Sequence, residues 1–587
     1  MSEDRNGGGN KSGGKRFNLR FWICLAVVSL LAGAIYTRYS LRKTERPEDL
    51  SPFRLLIRHL LASLSVAGIA LFIILPLKQI RRFFRWLFSW RTIKRLLFAA
   101  GCLLVLTVLA YIEENWRGKH AWEKYKREWE AKGERFDFKS FIPPQIPDGQ
   151  NFALAPVFYA SNTMNVYRHA ENFHPDTPFY PRSVGGWEKG QLYDLKEWQH
   201  YYRIETETNL SPELAHQFPI AAQAQTPAVD VLLALSKYDS NIEELRQMAA
   251  ARPFARFPIS YTNENPGAIY NPQLSIVKGC VLVLELRGIS ELQIGQPEKA
   301  LADIQLMLRL ADVIKDEPLI ISRQVRASII SLTIQVIWEG VVQNKFSETQ
   351  LAQITTTMAD INLAAEYNAS FRGERAIGIG ILDSIRHWKN QKLIYLCDGS
   401  DSFSWDELLF HLMPDGWFRQ NQVALSRMFQ SVLIATNEVD DRIISRDIRR
   451  KNGFALTDVY RRLSPYNTLA GEIFPEVERF AQRLAFIQNA VNLARLACAL
   501  ERYQLVHNEY PDTLTALTPG FIPEIPNDVI NGRPMHYHRS TDGKFVLYSV
   551  GWNEVDNGGD PGLKILENGY RSWDIDQGDW VWPFPTQ

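Results

Sequence analysis

Cysteine is scarce: five thiols in 587 residues, at Cys24, Cys102, Cys280, Cys397 and Cys498, with no CxxC or Cys/His ligand spacing among them. That excludes a zinc finger and a disulfide-stapled scaffold, since both need clustered thiols. Cys280 and Cys498 fall in apolar helical patterns and read as buried thiols. Also missing are HExxH, a Walker-type Gly-Lys-Ser/Thr loop, a G-x-S-x-G elbow and a complete dinucleotide fingerprint. The chain therefore carries none of the motif-borne machineries for metalloproteolysis, nucleotide hydrolysis, serine hydrolysis or hydride transfer. Charge is absent altogether from three stretches, Phe21–Tyr36, Leu60–Leu77 and Leu96–Ile112, of 16, 18 and 17 residues. Three such runs in succession, each flanked by Lys and Arg, read as membrane spans near the short end of the length that crosses hydrocarbon.

The formal charge of +1 conceals an asymmetry. Residues 1–132 hold 24 Lys/Arg against 10 Asp/Glu, leaving 42 basic and 55 acidic residues beyond. Cations therefore gather where anionic headgroups would meet them, and the acidic remainder excludes nucleic acid as a partner. Between the second and third runs, Lys78–Arg95 interleaves Arg, Trp and Phe without an acid, the composition of an interfacial helix that snorkels its cations. The positive-inside count ties at twelve cations on either side. The first run reads as an uncleaved anchor, because two more follow it.

The expected fold is mainly α. A Gly/Ser/Asn-rich tail, expected disordered, spans 1–20, a three-helix transmembrane unit 21–112, and a charged helix with a Pro-rich linker 113–150. A mostly helical soluble domain covers 151–479 and a small α+β unit 480–587. Within the helical domain, 151–227 is Tyr-, Phe-, His- and Pro-rich and reads as irregular but packed. Helices follow over Pro272–Ile294, Pro297–Lys315 and Leu319–Val342, the second opened by proline at its first position. Ser347 with Gln350 is a capping-box signature for a fourth, reaching about Ala365.

The pair Pro272–Lys315 resembles one tetratricopeptide repeat, with Gly288 and Ala300 at the family's small-residue positions and Leu284 where Trp is frequent. Ile334 breaks the pattern one repeat later, so a helical hairpin is expected rather than a stacked peptide-binding array.

Phe480–Gln504 carries Leu484, Ile487, Val491, Ala494 and Cys498 along one stripe and reads as a long amphipathic helix. Beyond Tyr503 come Tyr510-Pro511-Asp512-Thr513, Pro526-Asn527-Asp528, Gly532, Pro534 and Tyr537, then Leu547-Tyr548-Ser549-Val550-Gly551. The stretch from Pro534 alternates about Asp542-Gly543 and reads as a β-hairpin. In this order the elements resemble the C-terminal part of the major pseudopilin of bacterial type II secretion systems. The resemblance covers roughly Phe480–Trp580 and implies a calcium loop, with Ser549, Asp556, Asp574 and Asp576 as the candidate ligands. Calcium chemistry permits such a loop, since the ion takes six to eight oxygens in flexible geometry. The family's Gly-Phe-Thr-Leu-x-Glu start is missing and Pro561–Arg571 is inserted, so the unit reads as an appended domain, not a filament subunit.

The sequence thus suggests a multi-pass protein of the bacterial cytoplasmic (inner) membrane with its large domain extracytoplasmic, acting as a non-enzymatic interaction or assembly scaffold. Its expected partners are the bilayer and other envelope proteins, with no small-molecule cofactor besides calcium. Two alternatives are a secretion-system accessory component and a hydrolase-like envelope enzyme. The enzyme would draw on His169, His174, Asp230 and an Arg/Glu set of Arg323, Arg326, Glu317, Glu339, Arg372, Glu374 and Arg375. His536-x-His538 reads as a surface pair on the hairpin, for lack of a third ligand nearby.

Overall fold

The structure is a computed structural model and describes residues 82, 85–159, 164, 186–207, 218–259, 271–392, 412–433, 464–475, 477–565 and 571–585. Of these, residues up to Glu114 together with 392 and 412–413 form one compact unit and the rest a second. The expected tail and the first two expected spans lie outside the described residues.

The first unit holds the start of helix α1 (Trp90–Glu130). Its apolar window of 18 residues has a mean hydropathy of 2.2 and none of it is buried. Leu97, Phe98, Leu103, Leu104 and Leu106 all stand exposed, and Thr107 turns its hydroxyl back onto the carbonyl of Leu103 at 2.8 Å. A single helix thus contains both the third expected span and the charged helix expected after it. No Pro or Gly-Pro break separates the two patterns, so nothing stops the helix at the polarity change.

In the second unit the described residues of the stretch 151–227, expected to be irregular but packed, are packed and include one regular helix. Short 3₁₀ turns at Phe152–Leu154, Pro156–Phe158 and Trp187–Lys189 bury Phe152, Val157, Phe158 and Trp187. They are followed by α2 (Leu195–Glu207), α3 (Pro227–Leu235) and α4 (Asp239–Ala251). The expected hairpin is α5 (Pro272–Gln293) with α6 (Pro297–Val313), and α7 (Ile320–Val342) packs against both. Gly288 brings the helices close at that junction: a Cβ there would lie 3.0 Å from Val336 Cγ1, and that methyl would have to give way.

Among the described residues two helices, not three, are long and apolar enough to cross a membrane, and the second is α7, which is 72% buried over its window. It is buried on several sides because α5, α6 and α12 pack around it. The capping box at Ser347 and Gln350 is present, but its helix α8 (Glu348–Thr357) ends eight residues before Ala365. Asn362 accepts the amide of Ala365 at 2.9 Å and starts a new helix, α9 (Leu363–Lys392). Then come α10 (Asp415–Val432), α11 (Thr468–Ile473) and α12 (Val477–His507).

Helix α12 is not an amphipathic surface helix. Its buried residues run all round it, because α7 and α8 cover one side and the C-terminal strands another. Strand β1 (His536–Arg539) pairs antiparallel with β2 (Phe545–Ser549) across the expected Asp-Gly turn. The insertion after Pro561 forms its own ribbon, β3 (Leu563–Ile565) with β4 (Arg571–Trp573), and β5 (Trp580–Val581) returns to pair with β2. Trp187 stacks on Phe486 of α12 at 5.6 Å, Phe486 meets Trp580 edge-on, and Trp338 donates to the carbonyl of Pro583 at 2.8 Å. One continuous apolar core therefore runs from the 3₁₀ turns through the helices to the strands.

Candidate functional site

The four residues offered as calcium ligands sit in three environments. Ser549 is sealed in the core, its Oγ accepting from Asn489 Nδ2 at 2.8 Å and from the amide of Gly551 at 3.2 Å. Asp556 is half-exposed and accepts from the Tyr548 hydroxyl and the Gly558 amide, both at 2.9 Å, while its other oxygen faces His536 Nδ1 at 3.3 Å. The Gly558 amide, helped by Tyr548, holds its carboxyl below the usual range. Asp574 and Asp576 share one turn, the amide of Asp576 donating to Asp574, and Gln482 of α12 donates to Asp576 at 2.5 Å. Among the described residues no three His, Cys, Asp or Glu side chains are grouped to hold a metal ion.

Two carboxylates that were not among the candidates organise this region. Asp528 and Asp579 are fully buried. Asp579 accepts the amides of Asn557 and Gly559, the latter at 2.7 Å, so the loop over 556–560 wraps its N–H groups around that carboxylate. Burial pushes the Asp579 carboxyl up from its ordinary value despite those bonds. Asp528 accepts Asn489 Nδ2 and the amide of Ile530, both at 2.8 Å, and the amide of Val550 at 3.1 Å. The signal for Asn489 was in the sequence: a polar residue amid Ile487, Val491 and Ala494, which a buried helix tolerates only with partners.

No family model, curated protein or solved structure matches the chain.

The residues offered for an enzyme do not converge either. His169 and His174 lie outside the described residues. Asp230 is held by Arg203 at 2.8 Å and Gln199 at 2.6 Å; burial raises its carboxyl, but these bonds outweigh it and the net direction is down. The Arg/Glu set divides into separate groups. Arg323 and Arg326 meet Glu366, and Arg326 also meets Asp312 at 2.8 Å. Glu317 belongs with that first group, feeling the charge of Arg323 and accepting from Ser322 and Gln273, while Glu374 stands apart and accepts the amide of Ile320. Arg372 and Arg375 both reach Glu134, beyond the end of α1.

Glu339 belongs to a fourth group beneath the turn at Trp187. It accepts the amide of Tyr193 and the side-chain amide of Gln335, each at 2.9 Å, and the Tyr193 hydroxyl reaches Glu285 at 3.1 Å. Burial pushes Glu285 up to about 8 and Glu339 up to about 7. A carboxyl raised on folding favours the protonated native state. Its stabilisation is complete below pH 4.5, where both states are protonated, and is lost as pH rises through the folded value. Glu339→Gln is therefore expected to leave stability at pH 5 nearly unchanged and to raise it at pH 8 by about 1–3 kcal/mol. Thermal melts of wild type and variant at the two pH values check the sign.

The remaining feature of note is how α1 is held. From Asn115 onward it lies on α9 and α10: Asn115 accepts the amide of Gly416 at 2.9 Å, and Gly118 sits so close to Gly416 that any Cβ would collide with its backbone. Arg117 bonds to Tyr466 and lies over its ring, and Trp122, Tyr125 and Phe136 pack with Ile379 and Val423.

Proposed function

We propose that the chain is a membrane-anchored scaffold of the bacterial envelope, non-enzymatic, with its large unit outside the cytoplasm and other envelope proteins as partners. The observation that carries this reading is α1. One helix bears an apolar window with no protein cover and, from Asn115 on, a stretch held to α9 and α10 by a glycine contact and apolar packing, with one buried ion pair, Arg375 to Glu134, just past its end. Exposed leucines in that number suit a lipid environment, which supports the reading. The strongly raised acids, Glu285, Glu291, Asp303, Glu317, Glu339, Glu374 and Glu501, all lie in packing between elements, each tied to a neighbouring side chain or amide, which is a pattern that structural polar groups share.

The test has two arms. Carbonate-washed membranes should retain the full chain, and protease added to intact spheroplasts should digest its large unit; release by carbonate or full protection defeats the reading. Detergent-solubilised native protein should migrate with a second polypeptide in fixed ratio, whereas a lone monomer that turns over ester or peptide substrates would replace the scaffold with an enzyme. Calcium belongs to the same reading through Asp556, Asp574 and Asp576, the carboxylates that the resemblance implies. Millimolar calcium is then expected to raise the Tm, and Asp574→Ala with Asp576→Ala to abolish the rise; an unmoved wild-type Tm removes calcium from the reading.

A further inference from the structure

Where α1 ends, it and α10 enclose an open basin of about 410 Å³, a volume in the range of small-ligand sites. Its walls include Tyr125, Glu128, Trp129, Lys132, Arg427 and Gln430. Tyr125 and Trp129 form an aromatic wall with ring centroids 6.0 Å apart. Lys132 Nζ stands 4.2 Å from the centre of the Trp129 ring and Arg427 Cζ 5.9 Å from that of Tyr125. Among the described residues neither cation makes an ion pair, although Glu128 lines the same basin.

A second observation points to a ligand. Tyr125 is only 6% exposed, and its hydroxyl is buried with no hydrogen-bond partner. A buried phenol without a partner costs free energy that a native fold rarely leaves uncompensated. Burial also pushes its ionisation up to about 12, so it is a donor at neutral pH. Gln430 spends its carbonyl oxygen on Arg375, which leaves its NH₂ as a further donor. The C-terminal turns of α1 and α10 bring partial negative charge, about half a unit each. Lys132, Arg427, Arg372 and Arg375 outweigh that together with Glu128 and Glu134.

We propose that this basin binds a phosphate-bearing ligand with an apolar or aromatic body. The phosphoryl oxygens would take Lys132, Arg427 and the Tyr125 hydroxyl, and the body would lie along Trp129. Several donors of different kind suit a tetrahedral anion with three oxygens better than a planar carboxylate with two. Such a group can come from a soluble phosphate monoester or from a phospholipid headgroup.

The test uses the full chain in phosphatidylcholine nanodiscs, titrated calorimetrically with phenyl phosphate. Wild type is expected to saturate in the micromolar to low-millimolar range. Lys132→Gln with Arg427→Gln, both surface changes, should weaken binding by about a hundredfold. Tyr125→Phe should weaken it by about three- to tenfold without lowering the ligand-free Tm, which should hold or rise, since the hydroxyl has no partner within the fold to lose. If nanodiscs containing phosphatidylglycerol depress phenyl phosphate affinity in wild type alone, the natural source is a lipid headgroup; if they leave it unchanged, the source is soluble. Failure to saturate, or saturation that the variants do not alter, overturns the proposal.

Discussion

Glu134→Ala is expected to cost the folded chain about 3–5 kcal/mol, because it strands a buried guanidinium. Arg375 has a fully buried side chain, and Glu134 supplies its charge partner at 2.6 Å. Arg375 lies over the Phe136 ring at 4.6 Å and donates to Gln430 and to the carbonyl of Arg135, none of which carries compensating charge. The same deletion frees Arg372 from its contact with Glu134, but that side chain is 37% exposed and water takes over. Chemical denaturation of the full chain in detergent should show the loss at pH 7. Burial raises the Glu134 carboxyl, but the bonds from Arg375 and Arg372 prevail and its net direction is down. Its contribution is therefore present above the model-peptide value of 4.5 and is lost as pH falls, so the gap between variant and wild type should narrow in acid. Glu134→Ala with Arg375→Met should recover most of the loss, since the apolar side chain needs no partner. If the single variant is as stable as wild type, the pair does not clamp this end of α1.

Much of this architecture is legible in the sequence because it depends on local pattern. The proline at position 297, the small residues at Gly288 and Ala300 and the Asp542-Gly543 turn each specify their element through backbone chemistry alone. The capping box at Ser347 belongs with them. Partner choice is not local. Arg323, Arg326, Arg372 and Arg375 look alike in the sequence, yet two of them meet Glu366 and two meet Glu134, more than 230 residues upstream of Arg372. Helix α9 is hidden for a related reason. It contains Gly373 and Gly378, which lower helix propensity, and both are there for tertiary contact: a Cβ would strike the carbonyl of Pro318 at the first and Leu425 at the second. The amphipathic stripe of α12 pointed to one buried face; the second became visible only with the strands that cover it. The four candidate calcium ligands follow from a resemblance in loop order, which says nothing of Asn489, the residue that ties Asp528 and Ser549 to the helix.

That tie sets the second large effect. Asp528→Ala is expected to cost about 3–5 kcal/mol and to loosen the whole C-terminal unit. Its carboxylate takes three donors, Asn489 Nδ2 and the amides of Ile530 and Val550, all in the sealed core. Removing it orphans the two amides at about 1–3 kcal/mol each and leaves a cavity besides. Asn489 keeps Ser549 through the same nitrogen and the amide of Val529 through its oxygen, so it loses only part of its bonding. Asp528→Asn separates charge from shape. One oxygen still serves the donors at Oδ1, but an NH₂ then faces the Val550 amide, donor against donor, for an expected loss of about 1–2 kcal/mol. Ser549→Ala should cost a similar amount: Asn489 Nδ2 retains Asp528, but the buried Gly551 amide loses its acceptor. Amide exchange gives the reading that a global melt does not. In Asp528→Ala, protection should fall over β1, β2 and the turn at 526–532, while α5, α6 and α7 keep theirs. Uniform loss of protection would instead make Asp528 one more contributor to a single cooperative core. Retained protection in β2 would mean that the strands hold to α12 through Phe486 and Trp580 alone.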